Sequence, residues 1–120
     1  MTENEIAYKV KGAVFAVHNT LGPGLLESIY HKALLHELKK QGLSVRSEVA
    51  VPVIYDGELI CDDLKIDILV EDSVILELKS VDKLQEVHKK QLQTYLKLSG
   101  KKLGLLINFN TVSIDRNAFI

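Results

Sequence analysis

Apolar residues recur at helical spacing in three stretches of this chain, with strand-like stretches between and after them. Intervals of three and four residues separate the apolar positions over residues 4–20, 25–41 and 84–98, and each stretch predicts a helix. Thr2, followed three residues later by Glu5, is a capping-box pattern that places the first helix boundary near the N-terminus. The second helix is apolar around most of its circumference, which predicts that it is largely buried.

Residues 43–55 change to the alternating pattern of a strand. Pro52 cannot donate a ladder hydrogen bond, so this strand is expected at a sheet edge or at a bulge. Asp56-Gly57 is a preferred two-residue hairpin turn, and residues 58–70 are therefore expected to return as an antiparallel strand. A bulge at residues 61–63 is an open alternative within that strand.

A second hairpin follows, because the polar turn Glu71-Asp72-Ser73 leads into an apolar strand over residues 74–79. Residues 102–109 are nearly all apolar, as expected of a strand that is buried on both faces. The long helical connection predicts that these last two strands are parallel neighbours. A short edge strand over residues 110–120 is a further possibility that the sequence leaves undecided. The pattern predicts an α/β fold whose mixed four- to five-stranded sheet combines a three-stranded antiparallel meander with a parallel strand, with helices on both faces.

The second hairpin carries like charges at opposed positions. If its turn centres on Asp72, antiparallel pairing puts Asp67 opposite Glu77 and Lys65 opposite Lys79. Like charges that are directly paired destabilise a sheet by up to about 1 kcal/mol. Two opposed carboxylates therefore require a structural or functional reason.

The second helix carries a carboxylate among apolar neighbours. Glu27, Tyr30 and His31 lie on one face of it at helical spacing. A buried carboxylate there has to be paired, protonated or bound to a metal, because an unpaired buried charge costs several kcal/mol. The alternative is that Glu27 occupies the first turn and interacts with the helix dipole, which is worth about 0.3–1 kcal/mol. Spacing alone supports both interpretations equally.

Charge is distributed unevenly, although the net charge is only −1. Residues 48–78 hold nine acidic residues and one basic residue, whereas residues 79–102 hold seven lysines and two acidic residues. A global field that attracts DNA or an anionic membrane is therefore excluded, and affinity for nucleic acid has to come from a local patch. Cys61 is the only cysteine, no apolar run approaches a membrane span and the N-terminus is acidic, so we expect a cytoplasmic protein. The length predicts a single domain over residues 1–120.

Asp67 and Glu77, with Lys79 on the same strand face, match the needs of a hard cation. Mg²⁺ prefers oxygen ligands and is usually held by one or two carboxylates together with water and substrate phosphate. A cation there activates water and neutralises phosphodiester charge, while a lysine positions the nucleophile or stabilises developing charge. The alternative is a solvated checkerboard in which Lys65 and Lys79 form diagonal salt bridges with the carboxylates, each worth about 0–1 kcal/mol. Spacing alone favours the checkerboard, whereas polar residues in otherwise buried helices favour the cation site.

An ordered set of motifs in this chain resembles the PD-(D/E)XK nuclease superfamily, in its exonuclease-like branch. The motifs are Asp67, then Glu77-Leu78-Lys79, then Gln91 and Tyr95. More narrowly, residues 24–30, 91–96 and 105–109 resemble the GxxExxY protein family. The similarity covers about residues 5–110. Ile66 stands where the superfamily name has proline, a change that leaves the neighbouring carboxylate in place.

The resemblance implies a restriction-endonuclease-like core and assigns roles to particular residues. The implied metal ligands are Glu27, Asp67, Glu77 and the carbonyl of Leu78. Lys79 is the implied catalytic lysine, and it acts together with the three carboxylates. Gln91 and Tyr95 are implied to position the substrate, by orienting Lys79 or by contacting phosphate. His31 and His88 are weaker candidates, because a packed or solvated histidine is the commoner case.

We therefore expect a Mg²⁺-dependent nuclease, with Mn²⁺ as a substitute, that hydrolyses phosphodiester bonds of DNA by in-line attack of a metal-activated water. Lysines in and beside the third helix are expected to contact the nucleic-acid backbone. These are Lys83, Lys89, Lys90 and Lys97. The alternative is a nuclease fold without turnover that binds nucleic acid or a protein partner. A homodimer is open as well, because so small a domain has little surface beyond its site.

Overall fold

The computed structural model describes residues 1–111 as three helices, a four-stranded sheet and a separate two-stranded sheet. The elements in chain order are α1 (Glu3–Leu21), α2 (Glu27–Lys40), β1 (Val45–Ala50), β2 (Val53–Tyr55), β3 (Glu58–Cys61), β4 (Lys65–Val70), β5 (Val74–Lys79), α3 (Glu86–Ser99) and β6 (Leu103–Asn108). The predicted helices are confirmed to within two residues at each end. Thr2 and Glu5 form the predicted capping box at the start of α1.

The four-stranded sheet has the order β1-β4-β5-β6 and mixes both strand directions. β4 is antiparallel to β1 and to β5, whereas β6 runs parallel to β5. α3 supplies the crossover between these parallel strands, as the length of the connection predicts. The predicted α/β fold, with three antiparallel strands and one parallel strand, is confirmed.

Two apolar cores lie on opposite faces of this sheet. On one face α1 and α2 cover β4, β5 and β6, and α2 contributes the fully buried Tyr30, Leu34 and Leu38. On the other face α3 packs Leu92 against the sheet. A Cβ atom at Gly104 of β6 would lie 2.6 Å from Leu92 Cδ1, so the glycine permits this close approach. Helices therefore cover both faces.

Both of the long strands predicted around Asp56-Gly57 are interrupted. The first divides into β1 and β2 at Val51 and Pro52, and the second divides into β3 and β4 at residues 62–64. Pro52 cannot donate a ladder hydrogen bond, which explains why the pairing stops there. The short β2–β3 hairpin consequently forms its own sheet, and β1 becomes an edge strand of the larger one.

α2 is less buried than its composition predicts. Leu26, which precedes it, is 71% exposed and Ile29 is 42% exposed. α2 contacts α1, β5 and the edge strand β1, so only one of its faces can be covered by the sheet. The prediction of a largely buried second helix is therefore wrong.

The described chain ends close to α1. His18 is buried, and its Nε2 atom lies 2.8 Å from the carbonyl oxygen of Thr111. The edge strand considered for residues 110–120 falls mostly on residues 112–120, which lie outside the described part of the chain. Over residues 1–111, no helix is both long enough and apolar enough to cross a membrane.

Candidate active site

The candidate site forms where the ladders on both sides of Asp67 are interrupted. β4 pairs with β5 as far as Ile68, and Asp67 and Glu77 occupy the next position of the same register. The pairing of β4 with β1 omits only Glu48, which lies opposite Asp67 and has a φ of 54°. Strict alternation would place Ile66 with Ile68, yet Ile66 packs in the core beneath α3. The distorted sheet thus aligns three carboxylates from neighbouring strands.

The ladder of β4 and β5 ends at Ile68 and Leu76, so neither predicted opposed pair lies within it, although the Asp67 N–H donates to Glu77 Oε1. Lys65 pairs with Ala50 of β1, beyond the end of the β4–β5 ladder, and Lys79 pairs with Asn108 of β6. Within residues 1–111, no salt bridge joins either lysine to Asp67 or Glu77. Among the described residues, the checkerboard of diagonal salt bridges does not form.

Backbone N–H groups hold the two carboxylates at the gap between β4 and β5. Leu78 N–H donates to Asp67 Oδ2 at 2.8 Å, and Asp67 N–H donates to Glu77 Oε1 at 3.3 Å. These bonds satisfy backbone donors that the ladder no longer pairs. The carboxylates are therefore fixed by the main chain and not by cationic side chains.

Glu77 is a buried carboxylate without an ion-pair partner. Its residue is only 4% exposed, and no basic nitrogen of residues 1–111 forms a salt bridge with it. Burial, and then the charge of Asp67, raises the pKa of Glu77 to about 8. A group in this state is stabilised either by a proton or by a cation.

Two further carboxyl groups next to Glu77 have raised pKa values. Burial raises the pKa of Asp67, although the Leu78 N–H and the charge of His31 act in the opposite direction. Glu27 is exposed, so the prediction of a buried carboxylate in α2 is wrong, but partial burial of its carboxyl group raises its pKa, while the charge of Lys79 lowers it. Glu27 is the first residue of α2, so it combines a place near the cluster with the favourable helix-dipole position. Three carboxyl groups of raised pKa therefore share one region of the molecule.

Lys79 lies at the end of β5, two residues after Glu77. It is half-buried, and its charge lowers the pKa values of Glu27, Asp67 and Glu77. Its carbonyl oxygen accepts the N–H of Phe109 at 2.9 Å, which fixes the strand end on β6. The lysine therefore lies in the field of all three carboxylates without forming a salt bridge to any of them within residues 1–111.

Tyr30 fixes the loop that leads to Glu27. The Tyr30 ring is fully buried and stacks on Phe109, with ring centroids 4.5 Å apart. Its hydroxyl accepts the Leu25 N–H at 3.1 Å and donates to the Gly22 carbonyl. Glu27 and Tyr30 are three residues apart, so the tyrosine anchors the backbone just before the carboxylate.

Ser80 joins the same loop to the strand that carries Glu77 and Lys79. Its hydroxyl donates to the Leu25 carbonyl oxygen at 2.7 Å. Because Ser80 directly follows Lys79, this bond couples the start of α2 to the end of β5. The hydrogen bonds of Tyr30 and Ser80 to the loop before α2 thus give the pattern of residues 24–30 a structural explanation.

A second group of potential ligands lies on the β1 side of Asp67. One ligand atom each from His31, Glu48 and Asp67 lies within 4.8 Å of the other two. A cavity of about 560 Å³ opens beside them and is also lined by Glu27. Sequence reasoning missed Glu48 and ranked His31 below a packing role. The position of Glu48 opposite Asp67 becomes visible only with the true β1–β4 register.

α3 brings together some of the remaining predicted residues. Gln91 Nε2 donates to the Tyr95 hydroxyl at 3.1 Å, and Tyr95 is buried in the core beneath α3. No hydrogen bond joins either residue to Lys79 within the described chain. His88 Nδ1 accepts the Gln85 N–H at 3.0 Å, so it has a capping role.

The lysines expected to contact nucleic acid lie in and before α3. Lys83, Lys90 and Lys97 are exposed, and Lys89 is half-buried. None of them forms a salt bridge with another of residues 1–111. Their positive charges are therefore available to an external anion.

Comparison with known proteins gives a family match. Searches of curated proteins and of solved structures found nothing similar to this chain. A model of the PD-(D/E)XK nuclease superfamily matches residues 4–118, which include every site residue considered above. This match spans nearly the whole sequence, and the chain therefore belongs to the PD-(D/E)XK nuclease superfamily.

Proposed function

We propose that this protein hydrolyses phosphodiester bonds of DNA with the help of Mg²⁺, for which Mn²⁺ can substitute. The observation that carries the proposal is Glu77, a carboxylate that is 4% exposed, lies next to Asp67 and lacks an ion-pair partner within residues 1–111. Burying such a charge costs several kcal/mol unless a proton or a cation compensates it. A divalent cation bound to the Glu77 carboxylate would offset that cost by its attraction to the buried charge.

The residues present fit a hard cation. Asp67 and Glu77 offer carboxylate oxygens, Glu27 approaches from α2, and the Leu78 carbonyl is a candidate fourth oxygen donor. Mg²⁺ is commonly held by one or two carboxylates, with water and substrate phosphate completing its coordination. When bound, the cation supplies Lewis-acid stabilisation of phosphate charge and lowers the pKa of water.

Lys79 is the residue that we assign to the reacting phosphate. Its ammonium group, held beside three carboxylates, stabilises charge that develops on the phosphodiester or orients the attacking water. The bonds from Tyr30 and Ser80 to the loop before α2 keep Glu27 close to this lysine. Gln91 and Tyr95 form a hydrogen-bonded pair on α3, which we assign to contacts with the substrate backbone.

The α3 lysines are the proposed contact surface for the DNA backbone. Phosphate contacts of this kind are independent of sequence and weaken as salt concentration rises. The acidic turn of the β2–β3 hairpin, which carries Asp56, would repel the same backbone. We therefore place the substrate between α3 and the carboxylates, away from that hairpin.

The second candidate is a nuclease fold that binds nucleic acid or a protein partner without turnover. Asp67 and Glu77 each accept a backbone N–H, an arrangement that is also satisfactory without metal. We also propose that residues 1–120 form one domain and that the chain is a member of the GxxExxY family. We propose a cytoplasmic location as well, because Cys61 is the only cysteine.

The test is cleavage of labelled single-stranded, double-stranded and branched DNA, with an RNA of the same sequence, in Mg²⁺ or Mn²⁺. The proposal expects cleavage by the wild type that stops in EDTA and in Glu77→Ala. Glu58→Ala, a matched loss of an exposed carboxylate on β3, should cleave normally. Equal behaviour of the wild type and Glu77→Ala would refute the enzymatic proposal and favour the binding module.

A further inference from the structure

We propose that Leu26 contacts an unstacked base of the substrate, so that the protein prefers DNA that is single-stranded at the reacting phosphate. The inference rests on the proposed function, because it concerns the substrate of the same site. Leu26 immediately precedes Glu27 in the chain, and it is 71% exposed. The function proposed above gives this side chain no role.

Stability does not explain a leucine at this position. Leu26 is the N-cap residue of α2, where serine, threonine, aspartate and asparagine are preferred because their side chains accept a backbone N–H of the first turn. A leucine side chain cannot accept such a bond, and so exposed a side chain buries little apolar surface in return. A residue that breaks a local rule without a packing gain is expected mainly at functional sites.

The backbone that carries Leu26 is held at several points. The N–H of Leu25 donates to the Tyr30 hydroxyl at 3.1 Å, and the Leu25 carbonyl accepts the Ser80 hydroxyl at 2.7 Å. The Leu25 side chain packs against the core beneath α1 and α2, and the Leu26 carbonyl accepts the Ile29 N–H at 3.0 Å. Leu26 is therefore presented to solvent from a fixed loop, which lowers the entropy that a contact with a ligand would cost.

Two further exposed apolar residues lie near the same carboxylate. Ile29 is 42% exposed, and its position three residues after Leu26 makes the two side chains neighbours. Val87, in the first turn of α3, is 63% exposed, and the charge of the adjacent His88 lowers the pKa of Glu27. The starts of α2 and α3 therefore lie on the same side of the molecule, and both helices bring exposed apolar residues close to the site.

The chemistry of DNA decides which of its parts these side chains can contact. Phosphates are charged, whereas the faces of the bases are apolar, and proteins commonly insert leucine or isoleucine against them. In a duplex, stacking covers those faces, and the free energy needed to expose one is smallest where the base is already unpaired. A strand whose phosphate lies beside Glu27 and Lys79 would therefore place a base face on Leu26 only where that base is unstacked.

The test compares the binding of two labelled single strands of equal length, one with natural bases and one with abasic residues that keep every phosphate. Fluorescence anisotropy measures binding in Ca²⁺, which takes oxygen ligands as Mg²⁺ does. The wild type should bind the strand with bases at least about fivefold more tightly, the lower end of the effect of a side chain stacked on a base. Leu26→Ser should lose most of this difference and keep its affinity for the abasic strand. Leu59→Ser, which removes a leucine of 57% exposure on β3, should retain the difference.

A second pair of probes tests the preference for unpaired DNA. A duplex with a central unpaired stretch should bind more tightly than the fully paired duplex of the same length, and Leu26→Ser should reduce this difference as well. Urea unfolding verifies the fold of each variant, and Leu26→Ser should unfold at a higher urea concentration than the wild type because serine can cap α2. A merely structural role of Leu26 would instead lower that concentration and leave the preference for bases unchanged.

Leu26→Ala provides a second substitution if Leu26→Ser does not fold. Equal affinities of the wild type for the two single strands, or an undiminished difference in the Leu26 variant, would overturn the inference. Failure of the proposed function looks different. A preference for bases without DNA cleavage in Mg²⁺ would support the base contact and refute the nuclease, whereas cleavage by a wild type that binds both strands equally would refute the base contact alone.

Discussion

Glu77→Gln should make the cation-free protein more stable at pH 8 and should abolish its stabilisation by Mg²⁺. Glu77 is 4% exposed, and burial raises its pKa to about 8 from an ordinary value of 4.5. Glutamine keeps the shape of the side chain and an oxygen that can accept the Asp67 N–H, but it carries no charge. The substitution therefore removes the cost of ionising a buried group and removes a metal ligand at the same time.

The sign and size of the effect follow from proton linkage. A raised pKa means that the folded protein holds the proton more tightly than the unfolded chain does. Its contribution to stability is complete below about pH 4.5, falls as the pH rises and is lost above about pH 8. The difference between these pKa values corresponds to about 3–5 kcal/mol at pH 8. As the pH rises, Glu77→Gln should lose less unfolding free energy than the wild type does, and the two slopes should differ by up to about 1.4 kcal/mol per pH unit.

Urea unfolding in EDTA between pH 5 and pH 8.5 measures both quantities. The exposed Glu58→Gln serves as the control and should follow the wild type throughout. With Mg²⁺ at about 100 times its dissociation constant, the wild type should gain about 2.7 kcal/mol and Glu77→Gln should gain nothing. The reasoning is refuted if Glu77→Gln is no more stable than the wild type at pH 8 and the two pH profiles are parallel.

Three other substitutions test separate parts of the account. Tyr30→Phe keeps the ring but removes the hydroxyl that bonds the loop before α2, so the free energy of unfolding should fall by about 1–3 kcal/mol. Calorimetry should also show weaker Mg²⁺ binding, and unchanged values of both quantities would contradict the anchoring role of Tyr30. Gly104→Ala places a Cβ atom 2.6 Å from Leu92 Cδ1 and should cost about 1–3 kcal/mol in urea unfolding, whereas a neutral effect would mean that α3 moves freely. Lys79→Met should slow DNA cleavage by at least about 100-fold, while its Mg²⁺ affinity, measured by calorimetry, should stay within a few-fold of the wild-type value. Equal losses of cleavage rate and Mg²⁺ affinity would contradict the assignment of Lys79 to the phosphate.

Local patterns were sufficient to predict much of the fold and half of the site. The turn at residues 71–73 fixes the register of β4 and β5, so the opposition of Asp67 and Glu77 follows from residues close in the sequence. The parallel pairing of β5 with β6 follows from the length of the α3 connection. These features depend on short-range chain geometry, which the sequence expresses directly.

Glu48 could not be predicted, because its partner depends on an interruption. The β2–β3 hairpin pairs Tyr55 with Glu58, and an unbroken continuation of that register would place Glu48 opposite Lys65. A register shift between Val53 and Ile54, together with the break between the two sheets, moves the pairing by two residues in all, so that Glu48 lies opposite Asp67. The unbroken register would pair Glu48 with the oppositely charged Lys65, whereas the observed register makes Glu48 a third carboxylate beside Asp67 and Glu77. Pro52 signals a break, but nothing local specifies how many residues are left unpaired.

The most direct test of the central claim is DNA cleavage in water enriched in ¹⁸O, with the product phosphates examined by mass spectrometry. Hydrolysis in Mg²⁺ should place one solvent oxygen on the phosphate released at each break, because water supplies the new P–O bond. EDTA, Glu77→Ala and Lys79→Met should each suppress the labelled product. Wild-type protein that yields no labelled product with any DNA form in Mg²⁺ or Mn²⁺ would contradict the account.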